Sequence, residues 1–203
     1  MKILALSDQV TEIVYSNNIT QNFPDVDLIV GCGDIPADYQ EFAVSMLNVP
    51  LIYVPGNHDE DDFHVPGGQS IDGKVLNIKG LWCMGLGGSR RYKPEGRYQY
   101  SEAEMRFRVW KLLVRASLKK LISRKEIDIL ITHAPPYGVH DTQDVAHTGF
   151  LSFHQLLSLL KPRVMLHGHC YPQRNITSAK TKIYKTQVIN VFPYRVVDLE
   201  RIS

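Results

Sequence analysis

The sequence predicts an α/β fold that contains a largely parallel β-sheet and a second sheet. Short apolar runs alternate with segments of helical spacing along most of the chain, a pattern typical of βαβ units. The middle and the C-terminal end are instead rich in β-forming runs, which favours the second sheet. No repeat, low-complexity tract or linker interrupts the 203 residues, so we expect a single domain over residues 1–203.

The N-terminal third is predicted to hold three buried strands and one helix. The strands are the apolar runs at residues 2–7, 27–32 and 51–54. The helix lies between the second and third strands, where residues 38–48 place Phe42, Met46 and Leu47 on one side. Two further strands, at 74–78 and 81–86, are joined by a Lys-Gly turn, and a Gly/Arg-rich loop follows at 87–97.

A long helix is predicted next, because Ser101 is a good N-cap and Glu102 and Glu104 suit the first turn. We expect it to end near residue 124 and to bury an apolar stripe whose second use would be a partner surface: Met105, Val109, Leu112, Leu113, Ala116 and Leu121. The remaining predicted elements are a strand at 127–132, a short amphipathic helix at 152–160, a strand at 164–166 and β-rich runs at 182–185, 187–192 and 194–199.

Composition and cysteine usage exclude several classes of protein. Hydrophobic residues make up 44% and charged residues 22%, which excludes a disordered tail, a collagen and a coiled coil. The N-terminal apolar run is too short for a secretory signal, and no window reaches the roughly 18 apolar residues of a membrane span. Three widely spaced cysteines argue against a disulfide framework or a zinc ribbon, so we expect a reducing, cytoplasmic compartment.

The net charge of +2 conceals an uneven distribution. Residues 1–62 hold eleven acidic residues and one lysine, whereas residues 88–125 hold twelve basic residues and three glutamates. The small surplus therefore excludes a uniformly basic molecule but allows a local basic surface.

Five polar residues each follow a predicted apolar strand at its C-terminal end: Asp8, Asp34, Asn57, His133 and His169. Ligands of open α/β sheets bind beyond the carboxyl ends of the strands, so these side chains are expected to share one crevice. Carboxylate and amide oxygens together with imidazole nitrogens suit Mn, Fe or Zn better than Ca or a pure Mg cage.

The order of these residues resembles the calcineurin-like metallophosphoesterase superfamily. Five blocks carry the resemblance, each after a strand: Asp8, Gly33-Asp34, Gly56-Asn57-His58-Asp59, Thr132-His133-Ala134-Pro135 and Gly168-His169. The resemblance implies a four-layer α/β/β/α sandwich of two mixed β-sheets flanked by helices. It also implies two metals bridged by Asp34, one of them completed by Asn57, His133 and His169, and the other held by Asp8.

The second metal site departs from the family pattern. The usual Asp-x-His motif reads Asp8-Gln9-Val10, and the usual Gly-His-x-His motif reads Gly168-His169-Cys170-Tyr171. Both imidazoles expected at that metal are absent. We therefore expect one firmly bound divalent metal (Mn, Fe, Zn or Mg) and leave open a second, weak one, for which oxygen ligands favour Mg or Mn.

The resemblance implies hydrolysis of a phosphomonoester or phosphodiester by metal-activated water. His58 would protonate or stabilise the leaving oxygen, and Asp59 would orient its ring. Arg90, Arg91 and Asn57 are the residues expected to bind the substrate phosphate. Histidines 140 and 147 lie in the loop at 138–149, where one of them either reaches the pocket or stays on the surface.

Two alternatives remain open at this stage. Val10 and Tyr171 favour a weak or inactive protein of this fold that acts as a binding or scaffold module. The basic segment at 88–125 leaves a nuclease as the other alternative. Because Asp8 lacks the partner imidazoles, three possibilities follow for the second site. Asp8 holds a weak second metal, or one metal with Asp8 as a base is enough for catalysis, or catalysis is lost. We expect a small phosphorylated substrate and no membrane partner, and leave nucleic acid and a homo-oligomer as open alternatives.

Overall fold

The computed structural model describes residues 1–171 and 179–202, and two mixed β-sheets form its centre. In chain order the elements are β1 Lys2–Leu6, α1 Ile19–Asn22, β2 Leu28–Gly31, α2 Ala37–Leu47, β3 Leu51–Tyr53, β4 Gly68–Ser70, β5 Val75–Ile78, β6 Leu81–Leu86, β7 Ser89–Arg90, β8 Gln99–Tyr100, α3 Glu102–Ser123, β9 Ile129–Thr132, α4 Leu151–Leu160, β10 Val164–His167, β11 Lys180–Ile183, β12 Thr186–Asn190 and β13 Tyr194–Asp198, before a 3₁₀ turn at Leu199–Arg201.

The central strands of both sheets run parallel. The first sheet has the order β13-β1-β2-β3-β4, and only β13 is antiparallel to its neighbour. The second has the order β11-β12-β10-β9-β6-β5, with antiparallel strands at its two edges. Parallel strands end on the same side of a sheet, so the residues that follow β1, β2, β3, β9 and β10 meet along one rim.

The two sheets pack face to face with helices on their outer sides. Alternate strand residues point to opposite faces, so Ile3 and Ala5 enter the core between the sheets, whereas Leu4 and Leu6 contact the layer of α1 and α2. The second sheet divides its side chains in the same way, between the central core and the layer of α3 and α4. The expected α/β/β/α sandwich is confirmed.

The structure corrects the predicted stripe of the long helix. Met105, Val109, Leu112 and Ala116 are buried, but Leu121 is 78% exposed. Leu121 follows Ala116 by five positions, a rotation of about 140° that turns it away from the buried side of the helix. The short elements α1, β4, β7 and β8 are additions to the predicted set. No helix in the described ranges combines the length and apolarity needed to cross a membrane.

Candidate metal centre

The rim of the sandwich brings the five strand-end residues together. Asp8, Asp34 and Asn57 follow strands of the first sheet, and His133 and His169 follow strands of the second. The two groups meet directly, because the backbone N–H of His169 donates a hydrogen bond to Asp8 Oδ2 over 2.9 Å. The centre is therefore assembled from residues 161 positions apart in the chain.

The backbone at this rim takes a conformation that most residues avoid. Asp8, Asp34 and His169 have φ values of 62°, 56° and 68°. Asp and His are among the non-glycine residues best tolerated in this region, and such conformations cluster at functional sites. Gly168 is required for a different reason: a Cβ there would collide with the side chain of Ser7, where the two sheets touch.

His133 lies at the middle of the cluster. Its Nδ1 donates to the carbonyl oxygen of Cys32 over 2.7 Å. The other ring nitrogen, Nε2, lies 3.2 Å from Asp34 Oδ2 and 3.1 Å from Asn57 Oδ1. Because a backbone carbonyl holds Nδ1–H, the Nε2 lone pair of a neutral ring would face two oxygen acceptors. This arrangement requires a cation at Nε2, either a proton or a metal ion.

His169 completes the group from the opposite side. Its Nε2 lies 2.8 Å from the carbonyl oxygen of Ala146, which can only accept, so Nε2 carries the proton and Nδ1 keeps the free lone pair. Ligand atoms of Asp34, His133 and His169 all lie within 4.8 Å of one another. Two imidazoles, one carboxylate and the adjacent Asn57 oxygen form a donor set that fits a divalent transition metal.

The charges of the centre depend on burial and on neighbours. Burial acts to raise the pKa of Asp34, but the imidazolium of His133 and the His58 N–H lower it to about 2. Burial alone would lower the pKa of His133, yet the carboxylates of Asp34 and Asp8 raise it to about 9. Burial and the nearby charge of His133 lower the pKa of His169 to about 3, so that ring is neutral.

Asp8 lies beside this group and faces a different environment. Its Oδ2 accepts hydrogen bonds from the His169 N–H and the Ser7 hydroxyl, and burial raises its pKa. Where imidazoles were expected, Val10 is 43% exposed, and Tyr171 is 62% exposed with its ring edge-on to Phe192. In the described ranges, the group of three ligand side chains within metal-binding distance does not include Asp8.

A cavity of about 440 Å³ opens above the centre. It is lined by Asp8, Asp34, Asn57, His58, Tyr92, Ala146, His147, His169 and Tyr171. A neighbouring cavity of about 570 Å³ shares Asp34 and His58 and extends along residues 59–64. Together they leave room for a ligand on the exposed side of the centre.

His58 and Asp59 occupy different places in this cavity. His58 is exposed, and its N–H donates to Asp34 Oδ1 over 2.8 Å. Asp59 is buried, and its Oδ2 accepts from the N–H groups of Gly56 at 2.7 Å and Asp34 at 3.2 Å. Burial and the charge of Asp34 raise the pKa of Asp59 to about 6. Asp59 thus holds the loop that carries His58; orientation of the ring itself stays a prediction.

Arg90 and Arg91 are held in ion pairs beside the cavity. Arg90 Nη1 lies 2.8 Å from Glu102 Oε2, and Arg91 Nη2 lies 2.9 Å from Glu104 Oε2. Neither arginine is among the residues that line the 440 Å³ cavity. Their predicted contact with a substrate phosphate would require these pairs to open.

Two contributors to the site, Tyr92 and the Ala146 carbonyl, were not assigned from the sequence. The hydroxyl of Tyr92 accepts from Asn57 Nδ2 over 3.2 Å, and its position directly after Arg91 in the Gly/Arg-rich loop was the available signal. The carbonyl of Ala146 has no sequence signal. Of the two loop histidines, His147 lines the cavity, whereas His140 Nδ1 lies 2.9 Å from Nε2 of the buried His167.

Comparisons with known proteins give a family match and similar folds. The model of the calcineurin-like phosphoesterase family matches residues 1–170. The uncharacterized protein MJ1162 of Methanocaldococcus jannaschii is 26% identical over 222 residues, which cover 99% of this chain and 93% of that protein. The crystal structure of TT1561 of Thermus thermophilus superposes with a TM-score of 0.68 at 18% identity, covering 100% of this chain and 96% of that one. A second crystal structure gives a TM-score of 0.70 at 17% identity, with the same coverage of 100% and 96%.

Proposed function

The chain belongs to the calcineurin-like phosphoesterase family, and from this premise we propose that it is a metal-dependent hydrolase of a phosphomonoester or phosphodiester. One observation carries the proposal: Asp34, His133 and His169 converge within 4.8 Å, and the Asn57 oxygen lies beside them. Such a four-donor set, with its second ring nitrogens held by backbone carbonyls, is the arrangement of a metal centre.

Asp34, Asn57, His133 and His169 would hold one divalent metal, with Mn, Fe, Zn and Mg as candidates. When bound, that metal would polarise a phosphoryl oxygen and lower the pKa of a water molecule. The carbonyls of Cys32 and Ala146 fix which ring nitrogen of each histidine faces the centre. Asp8 reaches the same cavity, where it would accept a proton from the attacking water or hold a weaker second cation.

His58 is the residue proposed to protonate the leaving oxygen. It is exposed and lines the cavity, and its backbone is tied to Asp34, so its ring would be within reach of a phosphate bound at the centre. Asn57 would contact both metal and phosphate, since its Nδ2 is held by Tyr92 and its Oδ1 faces His133. Arg90 and Arg91 would join the phosphate after leaving their glutamates.

The second candidate is a binding or scaffold protein with a weakened centre. It is favoured by the exposure of Val10 and Tyr171, which replace two imidazoles of the family pattern. A nuclease is a further alternative because of the basic segment at 88–125. We place the activity in the cytoplasm, since the cysteines of the chain are free and buried.

The proposal is tested by metal counting and ester hydrolysis on the same preparations. The purified protein is loaded with Mn, analysed for bound metal, and assayed with para-nitrophenyl phosphate and bis-para-nitrophenyl phosphate. Asp34→Asn and Asn57→Ala should each lower hydrolysis by roughly 100-fold or more, because each removes a donor to the centre. Glu41→Gln is the matched control, since it also exchanges an acid for its amide, at an exposed position on α2.

Each outcome decides between the candidates. Metal binding with hydrolysis that falls in both variants supports the enzyme. A folded protein that binds metal and cleaves neither ester with Mn, Fe, Zn or Mg contradicts it and favours the scaffold. Cleavage of DNA or RNA with a steep loss on added salt, and of neither small ester, favours the nuclease.

A further inference from the structure

Helix α3 carries a second apolar stripe that the core does not use. Its members are exposed by 43–78% and are spaced by three or four residues, as on one side of a helix: Phe107, Trp110, Val114, Leu118 and Leu121. Ile122 extends the stripe at its C-terminal end and is 80% exposed. Scattered exposed apolar residues are ordinary, but six on one helix face indicate an interaction surface.

This outer stripe lies opposite the buried one. At about 100° per residue, Val114 is turned by roughly 160° from Ala116, which is buried against the second sheet. The helix packs on α4, β5, β6 and β8. Phe107 and Trp110 stack on each other with ring centroids 5.9 Å apart, so the two aromatic rings form one apolar ridge at the solvent side.

Basic side chains border the outer stripe on both sides. Residues 105–125 contain eight lysines and arginines and no acidic residue. On one border Lys111 Nζ lies 4.3 Å from the centroid of the Phe107 ring, and Arg115 follows one turn later. Arg106, which is exposed, lies on the other border. Long basic chains beside an apolar ridge can extend their charged ends into a layer of anions while their stems stay in apolar contact.

We propose that the outer stripe of α3 binds the surface of an anionic phospholipid bilayer. The helix would lie in the plane of the headgroups, with the aromatic and aliphatic ridge in the acyl boundary and the basic borders among the phosphates. Eight charges between 105 and 125 exclude a span and fit a helix that lies on the surface.

The same features disfavour other occupants. A second copy that paired through α3 would bring basic borders against basic borders, which is repulsive. Single-stranded nucleic acid stacks on aromatic side chains, but Val114, Leu118 and Leu121 offer no ring on which bases could stack. An acidic protein helix would pair with the basic borders, so the experiment also measures binding of an acidic peptide.

The test measures sedimentation of the full chain with vesicles of phosphatidylcholine alone and of phosphatidylcholine mixed with phosphatidylglycerol. Binding should be strong only to the anionic vesicles. Lys111→Gln with Arg106→Gln should weaken it by roughly 30-fold, at about fivefold for each basic residue at the surface. Leu118→Ser with Leu121→Ser should weaken it by at least roughly tenfold through lost apolar burial.

Val196→Ser is a matched control for Val114→Ser. Val196 lies on β13 in the first sheet and is 45% exposed, against 43% for Val114. Only Val114→Ser should reduce vesicle binding, and thermal unfolding checks that both variants fold. Equal binding to neutral and anionic vesicles, or equal loss in both valine variants, overturns the proposal.

Two other results also overturn it. One is a dimer, measured by light scattering without lipid, that dissociates in the Leu118→Ser, Leu121→Ser variant while vesicle binding is absent. The other is saturable binding of an acidic amphipathic peptide or an oligonucleotide without any binding to vesicles. Ester hydrolysis of the soluble protein is measured in parallel and should not change, so failure here is distinct from failure of the proposed function.

Discussion

His133 shows how the burial of one side chain shapes the candidate metal centre. Its ring is fully buried, one nitrogen is committed to the Cys32 carbonyl, and the other faces oxygens of Asp34 and Asn57. A buried cation is stable only with a partner, and the Asp34 carboxylate provides it. In the metal-free protein the proton on Nε2 therefore occupies the place that a metal would take.

This leads to a prediction on the ionisation of His133. In metal-free protein its pKa of about 9 keeps the ring doubly protonated at pH 7.5, whereas His169, with a pKa of about 3, is neutral. Asp34→Asn removes the largest of the influences that raise the pKa of His133, so this pKa should fall below about 9. Histidine ¹⁵N spectra recorded across a pH titration measure the protonation state of both rings.

The sign of the stability effect follows from the same pKa. The pKa of His133 is raised from 6.5, the ordinary value, to about 9 in the folded state. Protonation of this ring therefore stabilises the folded state fully below pH 6.5, and the contribution is lost as pH rises through about 9. Asp34→Asn should therefore destabilise metal-free protein more at pH 7 than at pH 10. The Glu41→Gln control should give spectra like those of the unchanged protein. A neutral His133 ring at pH 7.5 in unchanged, metal-free protein would contradict the interpretation.

At the scale of elements, the turn around Asp144 supports the centre from outside. Asp144 Oδ1 accepts from the N–H groups of Ala146 and His147 at 3.1 Å and from His147 Nδ1 at 2.8 Å. A hydrogen bond from the Thr142 hydroxyl and the contact with His147 lower the pKa of Asp144. The turn thereby holds the Ala146 carbonyl against His169.

Asp144→Ala should consequently weaken metal binding by roughly tenfold, the range typical of residues that orient ligands. Asp144→Asn keeps an acceptor oxygen and should lose less metal affinity, whereas Glu41→Ala on α2 should leave the metal affinity unchanged. Calorimetric titration with Mn measures the three affinities. Unchanged affinity in Asp144→Ala would show that the Ala146 carbonyl is not needed to orient His169.

The start of α3 carries a complete capping box. Ser101 Oγ accepts from the Glu104 N–H at 3.3 Å, and Glu104 Oε2 accepts from the Ser101 N–H at 2.7 Å. Ser101→Ala should lower the free energy of unfolding by about 1 kcal/mol. Ser117→Ala, at an exposed position within the same helix, should change it by less than about 0.5 kcal/mol. Urea unfolding of metal-free protein compares them, and equal effects would contradict a capping role.

These elements show what a sequence can and cannot predict here. The main strands and α3 were predictable because apolar runs and the Ser101 cap are local signals. Strand β4 is polar and partly exposed, and α1 is one turn without a side-chain cap, so neither has a local signal. The strand-end residues of the centre were predictable from position and resemblance. The Ala146 carbonyl was not, since any residue type supplies a carbonyl.

On the scale of the whole molecule, the charge distribution follows the layers. The acidic segment at 1–62 builds the first three strands of one sheet and the helices α1 and α2 outside it. The basic segment at 88–125 builds α3, outside the other sheet. A net charge of +2 thus belongs to a molecule with an acidic and a basic outer side. The rim with the candidate centre lies between them, where both sheets end.

Because the two sheets each contribute ligands, a metal at the rim would link them. Asp34 and Asn57 come from one sheet and His133 and His169 from the other, and a ligand that binds only the folded state stabilises it by mass action. At a concentration of 100 times its Kd, Mn should add about 2.7 kcal/mol. For a chain of this length the midpoint of thermal unfolding should rise by roughly 5–10 °C.

The rise in the midpoint of thermal unfolding should disappear with a chelator. It should be smaller in His169→Ala, which lacks a ligand from the second sheet. His64→Ala, an exposed histidine outside the donor set, should keep the full gain. Asp8→Asn separates one metal from two: the gain is nearly unchanged if only the Asp34, Asn57, His133 and His169 site fills, and it falls if Asp8 holds a second ion. If neither Mn nor chelator changes the midpoint of thermal unfolding, the rim does not bind metal, and this result would also contradict the hydrolase proposal.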